Sequence, residues 1–423
     1  MEEITSSRRA PFGANPTVGE AGRATQQRIL AAASEAFATN GYAQTSVEAI
    51  TALAGCSRPT FYQYFSGKED LHRRLATRFG AELAGALDRM GPITADRAGR
   101  DELRGWLAGL SDVHRRYRAV ADNFAASVRT DDRMVTGSTT LTSAYRTRLC
   151  QSIVDPPAGA VPLDVQAAAI NAVAYGAAVY RNRVGAVTTE RTTDAVADLI
   201  HRSIFGAIDG VNLAEVRPGT AQPPAPAPAE ATADDPARRS RGLATRADLL
   251  AASAAAFGTL GYDGVRVDDI AKEAGVSHGT FYRYFPDKVA IFSEHVESAT
   301  DEIVALLDDW PLGPGEEAAW ARSYYDAFAR IGGIVSCLPE ARAAGLEAAT
   351  RSRLQVAHAL QQGLDTRTFG DSDADVVSCF ALLEGFAASA FRGLGVTVDE
   401  AVAATALMLE RGVFGRPGRG VGG

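Results

Sequence analysis

An arginine, a tyrosine and an amide fall on one side of a short stretch, Ser57 to Phe65, in a pattern suited to reading a nucleic-acid groove. At about 100° per residue, Arg58, Pro59, Tyr62 and Gln63 share one face of a helix, and Thr60, Phe61, Tyr64 and Phe65 share the other. An outward arginine can bond guanine edges in a major groove, and a tyrosine hydroxyl can bond phosphate. Further on, His278, Gly279, Tyr282 and Arg283 take the same outward places. Lys68 and Lys288 follow just beyond, where a helix N-terminus and an ammonium together would hold a phosphate. Phe61, Phe65, Phe281 and Phe285 read as packing. A lone Arg58 would read as a solvated surface charge, and it is the doubling of the motif that favours a functional reading.

Such a helix must be held by its neighbours. Ile29, Leu30, Ala33, Ala36 and Phe37 recur at helical spacing within Arg28 to Ala38, and Asn40-Gly41 tolerates the positive φ that ends a helix. The spacing of Thr45 to Glu48 predicts a capping box for a second helix, with Val47, Ile50 and Ala54 inward. The matching start in the second copy, Val265, lacks that cap. Gly55 turns the chain, Ser57 caps the third helix, and Pro59 is tolerated in its first turn. Three helices so connected make a helix-turn-helix.

The motif is one part of an internal repeat. Residues from Phe37 to Lys68 return as Phe257 to Lys288, and Gly176, Arg183, Phe205 and Gly206 return as Gly385, Arg392, Phe414 and Gly415. The second spacing is shorter by about eleven residues, so the second copy has lost chain in between. Six prolines between Val216 and Pro236, among Ala, Thr and acids, mark a linker that cannot bury a core. About 30 such residues span roughly 30 Å as a flexible coil and up to about 90 Å as polyproline II. Either reach lets the second copy dock beside the first.

The segments GYAQTSVEAITALAGCSRPTFYQYFSGKEDL and GYDGVRVDDIAKEAGVSHGTFYRYFPDKVAI resemble the TetR-family DNA-binding domain, and both carry its whole pattern. The resemblance implies an all-α chain of two tandem TetR-like units. Each would have an N-terminal three-helix helix-turn-helix domain and a C-terminal helical ligand-binding and dimerisation domain. It implies DNA contacts at Ser46, Arg58, Pro59, Thr60, Tyr62, Tyr64 and Lys68, and at Arg266, His278, Gly279, Thr280, Tyr282, Tyr284 and Lys288 in the second copy. Tyr64 and Tyr284 are thereby placed nearer DNA than the helical wheel places them. Arg283 joins the set from the wheel alone. The run Arg238, Arg239 and Arg241 suits either a groove-binding arm or a solubilising linker.

The expected domains are an N-terminal arm (1–22), a first DNA-binding domain (23–70), a first regulatory domain (71–213), a linker (214–240), a second DNA-binding domain (241–290), a second regulatory domain (291–415) and a tail (416–423). Trp106, Tyr117, Phe124, Trp320, Tyr324 and Phe328 lie on amphipathic stretches and could wall an effector pocket, although most such aromatics are ordinary core. Helix pairs at Val165 to Tyr180 with Thr193 to Ile208, and at Val376 to Phe391 with Asp399 to Val413, are what the family uses for a four-helix dimer interface. Small residues such as Ala168, Ala172, Gly176, Ala381, Gly385 and Ala388 allow close approach or fill one bundle. Since both halves carry the pair, pairing within the chain is expected, with further assembly left open.

Composition bounds the rest. The chain has 423 residues, 46% hydrophobic and 22% charged, with a formal net charge of −8, so any phosphate-binding surface must be local. Cys56, Cys150, Cys337 and Cys379 are too scattered for a zinc site or a disulfide framework and read as reduced, buried small residues. No apolar stretch of signal-peptide type opens the chain, and the apolar run Ala172 to Tyr180 is too short to span a bilayer, so a cytoplasmic protein with no membrane partner is expected. No cofactor or metal is expected, and no nucleophile elbow, Walker A, zinc-protease or dinucleotide glycine pattern supports an enzyme. The reading is a ligand-responsive repressor that binds an asymmetric double-stranded operator as an intramolecular pseudo-dimer. Its small-molecule effector would be apolar or lipid-like by analogy with tandem regulators of lipid genes. The alternatives are a sensor or carrier with at most one working DNA-binding domain, and an activator.

Overall fold

The computed structural model describes residues 19–42, 44–118, 120–121, 132–184, 187–206, 236–308, 310, 313–365, 370–392 and 395–416. Most of the N-terminal arm, most of the linker, Phe124 and all but the first residue of the tail lie outside them, as do the side chains of Arg183, Arg238, Arg239 and Arg241. The described chain is helical, and among the described residues the only ladder contact is an isolated bridge between Ile93 and Ile153. It forms two compact units, Met1–Asp88 with Ser111–Leu141, and Arg89–Leu110 with Thr142–Gly423.

In the first unit, α1 (Glu20–Asn40), α2 (Val47–Leu53), α3 (Arg58–Tyr64) and α4 (Lys68–Asp88) follow in order, joined by the end of α5 (Arg97–Arg116). Ile29, Leu30, Phe37, Ile50, Phe61, Phe65, Leu71 and Leu75 are buried. α1 closes at Gly41, whose φ of +77° is open to a residue without Cβ, and Gly55 turns α2 towards α3 at +60°. The cap of α2 is one residue later than the spacing predicts. Ser46 accepts from the Ala49 N–H at 3.2 Å, while the Thr45 hydroxyl is buried and turned back to the carbonyls of Ala36 and Gly41. Thr45 thus ties α1 to the turn, and the capping falls to its neighbour.

The second unit takes up the rest: the end of α6 (Asp132–Ser152), then α7 (Leu163–Val184) and α8 (Thr189–Phe205). The second motif follows with α9 (Pro236–Gly264), which breaks its helical conformation at Gly261, then α10 (Val267–Glu273), α11 (His278–Tyr282) and α12 (Lys288–Asp308). After these come α13 (Glu317–Val335), α14 (Leu338–Ala343), α15 (Glu347–Asp365) and α16 (Ser372–Phe380). A π-helical turn, Ala381–Phe386, leads into α17 (Ala387–Phe391), and α18 (Val398–Leu407) ends in a second, Met408–Val413. The N-cap of α10 is Arg266, one residue after the expected uncapped start at Val265, and no side-chain hydrogen bond of Arg266 caps it; the Asp269 carboxylate reaches back to the Arg266 N–H at 3.1 Å and satisfies that donor from inside the helix.

Within this unit α7 and α8 pack against α16, the two π-helical turns and α18, which belong to their counterparts in the repeat. α7 meets the first π turn and α8 meets the second, while α16 touches both α7 and α8. A Cβ on Gly176 would lie 2.6 Å from the Ala381 Cβ, and one on Gly412 would lie 2.9 Å from the Leu199 carbonyl oxygen, so the backbones approach as closely as glycine permits. Gly176→Val is therefore expected to destabilise the unit by about 1–3 kcal/mol in urea unfolding. Gly105→Ala, in a helix with no atom near the added methyl, should instead stabilise by up to about 1 kcal/mol. The segment Ser372–Phe391 is long and apolar enough to cross a membrane, and most of it is buried among these helices. None of the four cysteines forms a disulfide; Cys337 and Cys379 are buried as expected, but Cys56 and Cys150 are only half-buried, being at a turn and a helix surface.

Candidate nucleic-acid interface

Ser57 caps α3 by accepting from the Thr60 N–H, and its hydroxyl also lies 2.9 Å from that of Thr60. Phe61 and Phe65 are fully buried and anchor the helix to the core. This leaves Arg58, Pro59, Tyr62 and Gln63 exposed on one face, Tyr62 with 45% of its surface open. Ser46 is exposed at the start of α2 and Thr60 is half-buried. Tyr64 is only 9% exposed, so it follows the helical wheel and packs inward rather than joining that face. Ser57→Ala should cost about 1 kcal/mol by freeing a helix N–H, measurable as a lower denaturation midpoint with the exposed face chemically intact.

Arg58 is held in advance. Its guanidinium lies 2.5 Å from Glu48 of α2, and the Tyr62 hydroxyl and Glu48 both favour its charged form. The second motif repeats the arrangement with other chemistry: His278 lies 3.1 Å from Asp268 of α10, and its ring meets Tyr282 edge-on at 4.9 Å. Tyr282 is 48% exposed, Arg266, Gly279 and Arg283 are exposed, and Thr280 and Tyr284 are half-buried. Ser277 caps α11 as Ser57 caps α3. The acid ten residues before each first outward residue was not read from sequence as its partner, Glu48 having been assigned only to a capping box, although its recurrence at Asp268 was available as a signal.

Lys68 and Lys288 sit differently from the phosphate-binding reading. Lys68 Nζ donates to the Tyr42 carbonyl at 2.9 Å and lies 4.5 Å from its ring centre; Lys288 Nζ donates to the Tyr262 carbonyl at 2.9 Å and lies 4.6 Å from that ring. Both lysines are half-buried, and burial pulls Lys288 below the usual lysine range. The pair Tyr42 and Lys68, repeated at Tyr262 and Lys288, clamps the end of the first helix to the start of the fourth.

The aromatic candidates for an effector pocket separate into packing roles. Trp106 is buried beside Tyr145, with ring centres 6.2 Å apart. The Tyr117 hydroxyl donates to Glu82 at 2.6 Å, and burial, then Glu82, raise its pKa. Trp320, Tyr324 and Phe328 form a stacked ladder along α13 that continues to Trp310. None of them borders the cavity in the second unit, which is lined by Thr300, Ile334, Ser352, Arg353, Val356 and Glu384 among others. At about 10 Å³ it has room for one water. At its edge Arg353 donates to both oxygens of Glu384 at 2.9 Å, beneath the Phe380 ring at 4.4 Å and the Tyr180 ring at 5.4 Å. That pair, 31 residues apart in sequence, was not anticipated.

Comparison with known proteins matches the family of bacterial regulatory proteins, tetR family, twice, at residues 29–75 and 249–294. An uncharacterised HTH-type transcriptional regulator of Bacillus subtilis (strain 168), YdgC, is 41% identical over 77 residues, which is 18% of this chain. The chain spans 40% of the length of that curated relative. Among solved structures, a TetR-family transcriptional regulator from Syntrophomonas wolfei aligns at 17% identity over 45% of this chain and 99% of its own, with a TM-score of 0.34. The regulator FadR from Bacillus subtilis in complex with stearoyl-CoA aligns at 18% identity over 44% and 99%, with a TM-score of 0.32. One match heads each half, each with its own capped, outward-facing third helix, so the chain carries two copies, in tandem, of the DNA-binding segment of the bacterial regulatory proteins of the tetR family.

Proposed function

We propose that this chain is a cytoplasmic, ligand-responsive repressor that binds one double-stranded operator with both helix-turn-helix motifs, its two halves paired within the chain. The observation that carries the reading is the repeated exposed face: Arg58, Pro59, Tyr62 and Gln63 on α3, and His278, Gly279, Tyr282 and Arg283 around α11. On DNA, Arg58 and Arg283 read base edges, Tyr62 and Tyr282 bond phosphate, and Ser46 and Arg266 contact the backbone beside them. Lys68 and Lys288 keep the motif in shape, and Tyr64 supports α3 from within. Arg58 must leave Glu48 to meet a base, and His278 must leave Asp268, so each reader exchanges an internal partner for DNA.

Because the two outward sets differ, the operator has non-identical half-sites. Selection of genomic fragments with the full chain, followed by footprinting, tests this: two unlike protected half-sites are expected. Equal affinity for the natural site and for a perfect palindrome of either half would count against it. Should only one reader work, the five-residue α11, with Gly279 where α3 has Pro59, marks the second as the weaker, and the chain then acts as a sensor with a single reader. An apolar effector acts by favouring one of two placements of the motifs, which lowers DNA affinity by its difference in affinity for them.

A further inference from the structure

The two helix pairs that meet in the second unit carry charges at their ends, and the signs differ between the halves. At one end Arg191, in the first turn of α8, donates to Asp371 at 2.6 and 2.7 Å and to Asp373 at 2.9 Å. Asp371 is also the N-cap of α16, accepting from the Ala374 N–H at 3.2 Å, so both acids are fixed where a helix N-terminus favours negative charge. At another end Arg146 donates to Asp164 at 2.8 Å and to the Gly395 carbonyl at 2.6 Å. Glu400 follows Gly395 in the same turn of chain, and its carboxyl is held below its usual range by the Thr397 N–H and hydroxyl, with a smaller contribution from the charge of Arg146. At these ends the first half supplies the arginines and the second half supplies Asp371, Asp373 and Glu400.

The repeat shows what other pairings would bring together. With Gly176 matched to Gly385 and Phe205 to Phe414, the counterpart of Arg191 is Glu400, and the counterparts of Asp371 and Asp373 are Pro162 and Asp164. Two second halves paired in this geometry would set Glu400 against Asp371 and Asp373, three carboxylates where the observed pair has a cation. Two first halves would set both Arg191 and Arg146 against a single Asp164 at each end. Like charges so placed repel, while the apolar and small residues between them discriminate little.

We propose that these charged ends select the unlike half as the pairing partner, so that a chain closes on its own second half and like halves of different chains do not pair. This rests on the intrachain pairing proposed above. The role of Arg191 here is to choose a partner, beyond holding a surface loop.

The test uses full-length chains in sedimentation velocity. Wild type is expected to sediment as a 44.5 kDa monomer. R191D/E400R reverses the logic: the carboxylate introduced at position 191 repels Asp371 and Asp373 within the chain, while the guanidinium introduced at position 400 complements those acids on another chain. A dimer should form, with its dissociation constant at least about tenfold below that of wild type. Adding D371R and D373R to that double variant restores opposite signs within the chain and sets the guanidinium at position 400 against like charges on another chain, so the quadruple variant should return to monomer, which separates partner choice from misfolding. E400Q removes the charge while keeping an acceptor at the cap and should stay monomeric. These pairs are partly exposed, so about 1 M salt should shrink the differences between variants. If wild type is monomeric and R191D/E400R remains so, the charge selection is overturned and intrachain pairing stands. If wild type is itself a dimer, the intrachain reading fails first.

Discussion

Glu384→Leu is expected to lose about 3–5 kcal/mol of stability in the second unit, among the largest losses available from a single side chain. Arg353 and Glu384 are only 3% and 7% exposed, and one guanidinium nitrogen donates to both carboxylate oxygens at 2.9 Å while the Arg353 Nε is buried without a hydrogen-bond partner among the described residues. The faces of Phe380 and Tyr180 border the guanidinium. Removing the carboxylate leaves a cation in a low-dielectric setting with aromatic faces as its remaining neighbours, and they offset little of the lost hydration. The paired change Arg353→Met with Glu384→Leu removes both charges and should recover most of the loss, since hydrophobic replacements of a buried pair are often neutral. Denaturant unfolding followed by probes in each unit measures this. A wild-type midpoint for Glu384→Leu would show that water already reaches the pair. Because Glu384 lies on the first π turn, opposite α7, the same substitution should loosen the contact between the halves.

Phe61→Ala and Phe281→Ala are expected to silence one reader each. Either ring is fully buried, packed on its neighbour Phe65 or Phe285 and with Tyr62 or Tyr282 edge-on above it. Truncation should cost about 3–5 kcal/mol, from lost transfer free energy and from the cavity left behind. In so small a three-helix motif that loss detaches the third helix before it unfolds anything else. Hydrogen exchange should speed up in 46–65 for the first variant and in 266–285 for the second, with loss of protection over one half-site each. Tyr62→Phe provides the contrast: its ring is exposed and its hydroxyl favours the charged form of Arg58, so stability should hold while DNA affinity falls by about 1 kcal/mol through the lost phosphate bond. Equal loss of both half-sites from either phenylalanine would mean that the two motifs do not act separately.

Much of this was legible in the sequence because it is local. The third helix announces itself by Ser57 and Pro59, and its two faces by the alternation of aromatic and polar residues, which placed Tyr64 inside as the structure does. Apolar periodicity places helices at Val165–Tyr180 and Thr193–Ile208, and the structure runs the first from Leu163 to Val184 and the second from Thr189 to Phe205, Ile208 lying outside the described residues. Capping was legible only to within a residue, since Thr45 and Ser46 are both competent and the choice depends on which hydroxyl α1 can reach. What stayed hidden depends on packing between distant segments. Nothing in the local pattern of Arg353 or Glu384 says that they meet, nor that Lys68 folds onto the Tyr42 carbonyl instead of facing outward. The π turns are likewise unmarked by composition: the corresponding parts of α7 and α8 are ordinary helix.

The proposal that both motifs read DNA is tested most directly by footprinting one selected genomic fragment with wild type, Arg58→Ala and Arg283→Ala at several salt concentrations. The expected result is that each substitution relaxes sequence preference over a different half of the site, at a cost of about 1–3 kcal/mol. If only Arg58→Ala matters, or if no fragment is selected at all, two-motif reading of one operator is contradicted.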